Sequence, residues 1–334
     1  MTDNRWHRPL TGMALLMTAL AVFCLAAMPF DDRQVLGESV WLKPLKFAIA
    51  FAVYGVTLAW LLRFPHRGRR WTGAMGTIFA IAGTVDVGFI AVQAARGTFS
   101  HFNTSDDPVN RYGQMIFTSG VPGLFLSSLV LAVIVLWQRL GDRPTSTALR
   151  FGMVSAVAGM ALAYSMGFAG DPQTVTDADG TVVDLAARHS VGADDGGPGL
   201  PIVHWSTVGG DVRVPHFVGM HGFQAMILVA AGLGMLAARV AWLRAERTRA
   251  ALVAWFGLGY LGTVAALTWQ AWRGQSLVHP DAATLTVFAA LWAAVAAAAA
   301  VTLLSAAARP RELATPARHT ARAVRRLPRL RVPQ

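Results

Sequence analysis

Apolar and polar residues alternate along this chain in long blocks. There are eight apolar runs, and at about 20 residues each is long enough to cross the hydrocarbon core of a bilayer as a helix. The pattern predicts an all-α, polytopic transmembrane bundle with spans at 10–28, 44–62, 72–95, 115–137, 149–168, 216–238, 250–272 and 283–306. The long polar segment at about 169–214 is expected to cover one end of this bundle.

Composition supports the membrane class. Of 334 residues, 54% are hydrophobic and 14% are charged, whereas soluble proteins carry about 25% charged residues. Cys24 is the only cysteine, which excludes an intramolecular disulfide, a CxxC metal site and a CxxCH haem attachment. A metal or haem would therefore need histidine, methionine or carboxylate ligands.

Basic residues orient the spans. With the N-terminus in the cytoplasm, the inner segments hold 21 of the 29 lysines and arginines, as the positive-inside rule requires. This bias predicts cytoplasmic N- and C-termini and a location in the bacterial cytoplasmic membrane. The net charge of +11 comes largely from these segments and is not a nucleic-acid signal.

The C-terminal segment 309–334 is rich in arginine and proline and is predicted to be a disordered tail. It could dock on anionic lipid headgroups. It could also be a solvated segment that only fixes the topology. Both interpretations remain open.

A short internal repeat is visible. Span three ends in QAARG at 93–97 and span seven in QAWRG at 270–274, and each is followed by a histidine, His101 or His279. Both segments leave the membrane on the same side. One interpretation is two parallel four-helix halves, joined by the 169–214 segment. The alternative is a chance resemblance between two short segments.

Histidines concentrate on the predicted outer side, where six of the nine lie. His216 and His221 are five residues apart, so they should not chelate one ion on a regular helix. Together with His101 from another helix, they could hold haem iron or a divalent metal. The alternative is that each is an amphipathic residue in the headgroup region. His221 and Gln224 share a helix face and can both point into the bundle.

Asp86 is the charged residue deepest within a predicted span. It lies roughly 15 Å from Arg96 along the helix, near the middle of the bilayer, where an ionisable residue indicates a function. Gln93 lies on the same face, so Asp86, Gln93 and Arg96 could form a proton or cation path. A neutral aspartic acid bonded to a neighbouring helix is the alternative.

Arginines at the predicted outer ends of spans run against the positive-inside bias. Arg96, Arg213 and Arg273 could contact an anionic headgroup or substrate, as could Lys43 and Lys46 at the outer end of span two. They could equally pair with outer acids such as Asp107 and Asp211 and fix the loops.

Three motifs resemble those of a family of uncharacterised bacterial multi-pass membrane proteins. They are WLKPLKF at 41–47, QAARGTFSHFN at 93–103 and GGDVRVPHFVGMH at 209–221. Arg96, His101, Arg213, His216 and His221 lie at the motif positions, and Asp86 stands where a glutamate is expected. The resemblance implies an integral membrane protein and brings no known activity.

Three functions fit these features. The first is a redox or hydrolytic membrane enzyme with an outward-facing histidine site for haem or metal. The second is a secondary transporter that uses Asp86 and the outer arginines. The third is a membrane scaffold or sensor.

Overall fold

The computed structural model describes residues 6–308, which form eight long helices. These are α1 Arg8–Ala27, α2 Leu42–Leu61, α3 Arg69–Arg96, α4 Pro108–Leu136, α5 Arg143–Ser165, α6 Arg213–Leu236, α7 Glu246–Trp272 and α8 Ala282–Ala308. All eight are long and apolar enough to cross a membrane. The prediction of an all-α bundle of eight spans is confirmed, while the predicted tail at 309–334 lies outside the described residues.

Several helices begin before the predicted spans, because their first turns are polar and a hydropathy pattern does not detect them. Helix α4 begins at Pro108, well before position 115, and the Asp107 side chain caps it by accepting from the Asn110 backbone N–H at 3.0 Å. Asp142 caps α5 in the same way through the Thr145 N–H, also at 3.0 Å. Such caps satisfy backbone donors that the helix itself leaves free.

Short strands occur at one end of the bundle, here named the loop face. The loop face comprises segments 28–41, 97–107, 166–212 and 273–281. Its antiparallel pairs are β1 Gln34–Val35 with β2 Glu38–Ser39, β3 Gln173–Thr176 with β4 Val182–Leu185, and β5 Ser190–Val191 with β6 Gly210–Asp211. A bridge between Asn103 and Leu185 ties the α3–α4 connection to the long α5–α6 connection.

The helices pack as two halves with the same pairing. In the first half, α1 contacts α2 and α3, α3 contacts α2, and α4 packs on α3. In the second half, α5 contacts α6 and α7, α7 contacts α6, and α8 packs on α7. This equivalence supports the internal repeat of two parallel four-helix units indicated by the sequence.

The QAxRG segments form equivalent turns in the two halves. Gly97 and Gly274 end α3 and α7 with φ of +74° and +70°, a left-handed conformation that glycine adopts readily. The Gln93 side-chain amide donates to the Phe99 carbonyl at 3.1 Å, and Gln270 donates to the Ser276 carbonyl at 2.7 Å. The short sequence match therefore marks a shared structural device.

In each turn, the arginine just before the glycine forms an ion pair with the aspartate that caps the following helix. Arg96 pairs with Asp107 at 2.8 Å, and Arg273 pairs with Asp281 at 2.5 Å. Asp281 caps α8 by accepting from the Thr284 backbone N–H at 2.8 Å. Each ion pair thus joins the end of one span to the start of the next.

The halves meet between α4 and α5, and side chains of α2 and α6 also make contact. The rings of Tyr54 on α2 and Phe223 on α6 lie 6.0 Å apart, and the Gln224 amide donates to Thr57 Oγ1 at 3.3 Å. These contacts occur about halfway along α6 and in the second half of α2. The first turns of α2 and α6 lie above them, at the loop face.

Candidate functional site

The candidate site lies between the two halves at the loop face. Its side chains come from the first turn of α2, the start of α6, the 97–107 segment and the long α5–α6 connection. Electrostatic interactions link Lys43, His101, His189 and His216 at this position. Four separate chain segments therefore converge where the repeat units meet.

A carboxylate fixes the orientation of His189. Its Nδ1 lies 2.6 Å from Asp195 Oδ2, and the His189 and Ser190 backbone N–H groups also donate to this carboxylate. Burial opposes ionisation of Asp195, but these hydrogen bonds outweigh it and hold the pKa of the carboxyl well below its usual range. Burial also lowers the pKa of His189, against the opposing effect of Asp195. The ring is thus neutral at pH 7, with its proton on Nδ1 and its lone pair on Nε2.

A backbone carbonyl fixes His216 in the same tautomer. Its Nδ1 lies 2.7 Å from the Gly159 carbonyl oxygen on α5. A carbonyl can only accept, so Nδ1 carries the proton and Nε2 keeps its lone pair. In the described part of the chain, no protein group forms a hydrogen bond with Nε2 of His189 or His216.

His101 lies beside these two rings. Its Nδ1 is 3.1 Å from Ser100 Oγ, and its ring centroid is 6.1 Å from that of His189. Burial, followed by the nearby Lys43, His189 and His216, lowers the pKa of His101 well below its usual value. The imidazole is therefore neutral at pH 7 and available as a ligand or base.

Aromatic rings enclose His101. The centroids of Phe117, Phe47 and Phe102 lie 4.7, 5.7 and 6.3 Å from the His101 ring. They come from α4, α2 and the α3–α4 connection. This apolar wall excludes water from one side of the imidazole and strengthens electrostatic interactions at the site.

Charged residues surround the histidines in defined pairs. Lys46 Nζ lies 3.0 Å from Glu38 Oε2, and His204 Nδ1 lies 3.3 Å from the other oxygen of Glu38. Arg213 pairs with the buried Asp211 at 2.6 Å and donates to the His204 carbonyl at 2.6 Å. Lys46 thus ties the first turn of α2 to the α1–α2 connection, and Arg213 ties the start of α6 to the long connection.

The spacing of the donors limits direct metal binding. Two imidazoles that share an ion have ring centres roughly 5–6 Å apart, given ligand bonds of about 2.0–2.1 Å. The 6.1 Å between the His101 and His189 ring centroids lies just beyond the upper end of this range. Among residues 6–308, no three His, Cys, Asp or Glu side chains are close enough to hold one ion as they stand. A third ligand would have to move towards the pair.

The predicted ligand His221 occupies a different position from His101 and His216. It lies five residues further along α6 than His216, and its ring centroid is 4.3 Å from that of Phe217. Gln224 lies one turn beyond and reaches α2 through Thr57. His189, which lies beside His101, is a residue that sequence reasoning did not single out. It sits in a long connection, and its only local signal is Asp195, six residues later.

The other predicted path residues divide into two groups. Gln93, Arg96 and Arg273 form the repeat turns, and Arg213 pairs with Asp211. These contacts match the alternative in which the arginines pair with acids and fix the loops. Asp86 forms no ion pair or turn contact of this kind within the described residues.

Asp86 is buried between α3 and α4. Its exposed fraction is 3%, and within the described chain neither carboxyl oxygen has a hydrogen-bond partner. The carboxyl packs directly against Gly120, where an added Cβ would lie 2.1 Å from Oδ1. A buried charge at this depth is costly, so Asp86 remains a candidate functional residue.

Comparison with known proteins adds no functional assignment. No protein-family model, curated protein or solved structure matches this chain.

Proposed function

We propose that the protein is a membrane enzyme whose loop face binds one divalent transition-metal ion through Nε2 of His101 and His189, with His216 moving towards the pair as the third ligand. The observation that carries this proposal is the orientation of the rings. Asp195 and the Gly159 carbonyl hold His189 and His216 as Nδ1–H tautomers, which leaves Nε2 free. Carboxylates and carbonyls orient metal-bound histidines in this way.

A bare ion suits this position better than haem. Three aromatic rings and His189 lie within 4.7–6.3 Å of the His101 ring. They fill the volume that a porphyrin plane would need beside an axial histidine. Neutral imidazole ligands are typical of zinc.

Three histidines leave a fourth coordination position open. A zinc ion so held would supply a Lewis acid that activates a bound water for hydrolysis. The protein's own contribution is to orient the rings and to exclude water with the Phe47 and Phe117 wall. This combination favours a hydrolytic enzyme.

The loop face would point away from the cytoplasm. The opposite face carries the arginine-rich connections, and the positive-inside rule places those in the cytoplasm. We therefore infer a bacterial cytoplasmic membrane protein with cytoplasmic termini. The tail would add basic charge towards anionic lipids on that side.

The direct test is the metal content of detergent-purified protein carrying an affinity tag without histidine. We expect near-stoichiometric zinc in the parent protein and its loss in His189→Gln and His216→Gln. His279→Gln is the matched control, because His279 is an exposed loop-face histidine whose Nδ1 also contacts a carbonyl, at 2.9 Å. Equal zinc in all four proteins, or none in any, would contradict the proposal.

Asp86 supports a second candidate function, secondary transport coupled to protons or cations. Its buried carboxyl without a hydrogen-bond partner is the kind of group that transporters use as a coupling site. The test is ion-driven solute or proton flux in proteoliposomes for the parent protein and Asp86→Asn. Loss of flux with unchanged zinc content supports transport, and unchanged flux contradicts a coupling role for Asp86.

A further inference from the structure

An apolar groove lies between α3 and α4 on the outside of the bundle. Its volume is about 420 Å³, and sites for small molecules occupy roughly 300–1,000 Å³. It is lined by Val85, Phe89 and Val92 of α3 and by Pro108, Val109, Tyr112, Gly113 and Ile116 of α4. Apart from the Tyr112 hydroxyl, these side chains carry no polar group. The groove therefore suits an apolar body that enters from the bilayer.

Asp86 lies next to the end of this groove that is deepest in the membrane. Ile116 of α4 lines this end, and Gly120, four residues further, packs directly against the Asp86 carboxyl. Phe89 of α3 also lines the groove and lies three residues from Asp86, on the same side of the helix. The groove thus ends about one helical turn from the carboxyl, at the same contact between α3 and α4.

The Asp86 carboxyl has no positive partner. Neither of its oxygens forms a hydrogen bond within the described residues, and no charged group there interacts with it. Arg96, the closest basic residue along α3, is ten residues away and pairs with Asp107 at 2.8 Å. A carboxylate in apolar surroundings complements a cation that carries its own apolar surface, because such a ligand enters the bilayer at a lower cost than a bare ion.

We propose that α3 and α4 bind a lipid-soluble amine, with its apolar body in the groove and its ammonium group on the Asp86 carboxylate. This inference rests on the transport function proposed for Asp86, for which it names the substrate class, and it does not involve the histidines. A hard metal cation fits less well, because the groove supplies few of the oxygen ligands that such ions require. Since Asp86 is buried, the Phe89 ring beside it has to rotate as the ammonium enters.

Binding is measured with two probes of the same shape, 1-adamantylamine and the neutral 1-adamantanol. The protein is held in lipid nanodiscs, and binding to empty nanodiscs is subtracted. The amine should bind saturably to the parent protein and at least about tenfold more weakly to Asp86→Asn, which loses a charge-assisted hydrogen bond. Equal amine affinity in the parent and Asp86→Asn, or an equal loss of 1-adamantanol binding in that variant, would overturn the proposal.

Asp106→Asn is the matched control for the carboxyl. Asp106 is an exposed acid two residues before Pro108, at the outer end of the groove. This variant should bind 1-adamantylamine as the parent does. A loss equal to that in Asp86→Asn would overturn the assignment of the ammonium to Asp86.

A second pair of variants tests the groove and leaves the carboxyl unchanged. Val92→Trp fills the groove and should weaken amine binding severalfold, whereas Ile81→Trp, at an exposed position of α3 outside the groove, should not. Both side chains lie on the outside of the bundle, so neither substitution disturbs the core. Equal amine affinity in the two variants would overturn the placement of the apolar body.

Flux in proteoliposomes separates this inference from the function on which it rests. Amine binding that depends on Asp86, without amine flux, would support the binding site and overturn transport. Ion-driven flux of another solute, with no saturable amine binding, would support transport and overturn the amine site.

Discussion

Backbone-to-backbone packing of α5 on α6 makes Gly159→Ala an informative substitution. An added Cβ at Gly159 on α5 would lie 2.4 Å from the Met220 backbone nitrogen and 2.7 Å from the Gly219 carbonyl carbon on α6. Ordinary Cβ contacts are 3.4–4 Å, so the helices would have to separate by about 1 Å. The atoms encountered belong to the backbone, so a side-chain rotation cannot relieve the clash.

The expected cost follows from two opposing effects. Overpacking a tight interface costs about 1–3 kcal/mol, and a rigid backbone contact places this substitution at the upper end. Alanine regains about 1 kcal/mol through its higher helix propensity. The net loss is about 2 kcal/mol, which corresponds to a fall of several degrees in Tm.

The same substitution reaches the candidate site. His216 Nδ1 donates to the Gly159 carbonyl, and Ser155 Oγ donates to the Gly219 carbonyl at 2.9 Å. Separating α5 from α6 lengthens both bonds and releases His216 from its fixed tautomer. Zinc affinity should therefore fall together with Tm.

Thermal unfolding in detergent, followed by tryptophan fluorescence, measures the first effect, and zinc titration measures the second. Gly234→Ala on α6 is the control, because an added Cβ there meets nothing within 4 Å. It should unfold at or slightly above the parent Tm. If Gly159→Ala matches Gly234→Ala in both assays, the close α5–α6 packing described above is incorrect.

Three further predictions concern the site and Asp86. Gly120→Ala should reduce any Asp86-dependent flux, because the added Cβ would displace the Asp86 carboxyl. Gly123→Ala is the control and should leave the flux unchanged, because its Cβ would meet Ala82 at an ordinary 3.6 Å. Equal flux in both variants would contradict the packing of Asp86 against Gly120. Asp195→Asn should lower zinc affinity by about 10–100-fold, the usual effect of losing an orienting carboxylate; an unchanged dissociation constant would show that Asp195 does not orient a ligand. The lowered pKa values of His101 and His189 predict that the metal-free protein loses stability as pH falls below about 6.5, the unfolded-state value, because the unfolded chain then binds protons more readily. Tm of chelator-treated protein between pH 7.5 and 5 measures this loss, which should shrink in His101→Gln; an equal loss in that variant would refute the assignment.

The sequence was sufficient for the membrane fold because hydropathy reports on lipid contact directly. Every predicted span lies largely within a helix, and only polar first turns such as 108–114 were missed. The QAxRG match identified the repeat because its glutamine and glycine perform the same local task in both halves. Local chemistry at fixed spacing can be read from a sequence.

The site was less predictable because its members lie far apart along the chain. His189 meets His101 only after the long connection folds back over the bundle. Periodicity placed Gln93 on a polar path from Asp86, but its amide is used in the α3–α4 turn through Phe99 and Asn110. Spacing could not reveal these long-range partners.

The most direct test of the metal site is X-ray absorption at the zinc edge of the detergent-purified protein. The proposal predicts three imidazole nitrogens at about 2.0–2.1 Å and one oxygen ligand. The imidazole signal should decrease by one ligand, or disappear with the bound zinc, in His189→Gln. A spectrum without imidazole ligands, or one that is unchanged in His189→Gln, would contradict the assignment of His101, His189 and His216 as the metal site.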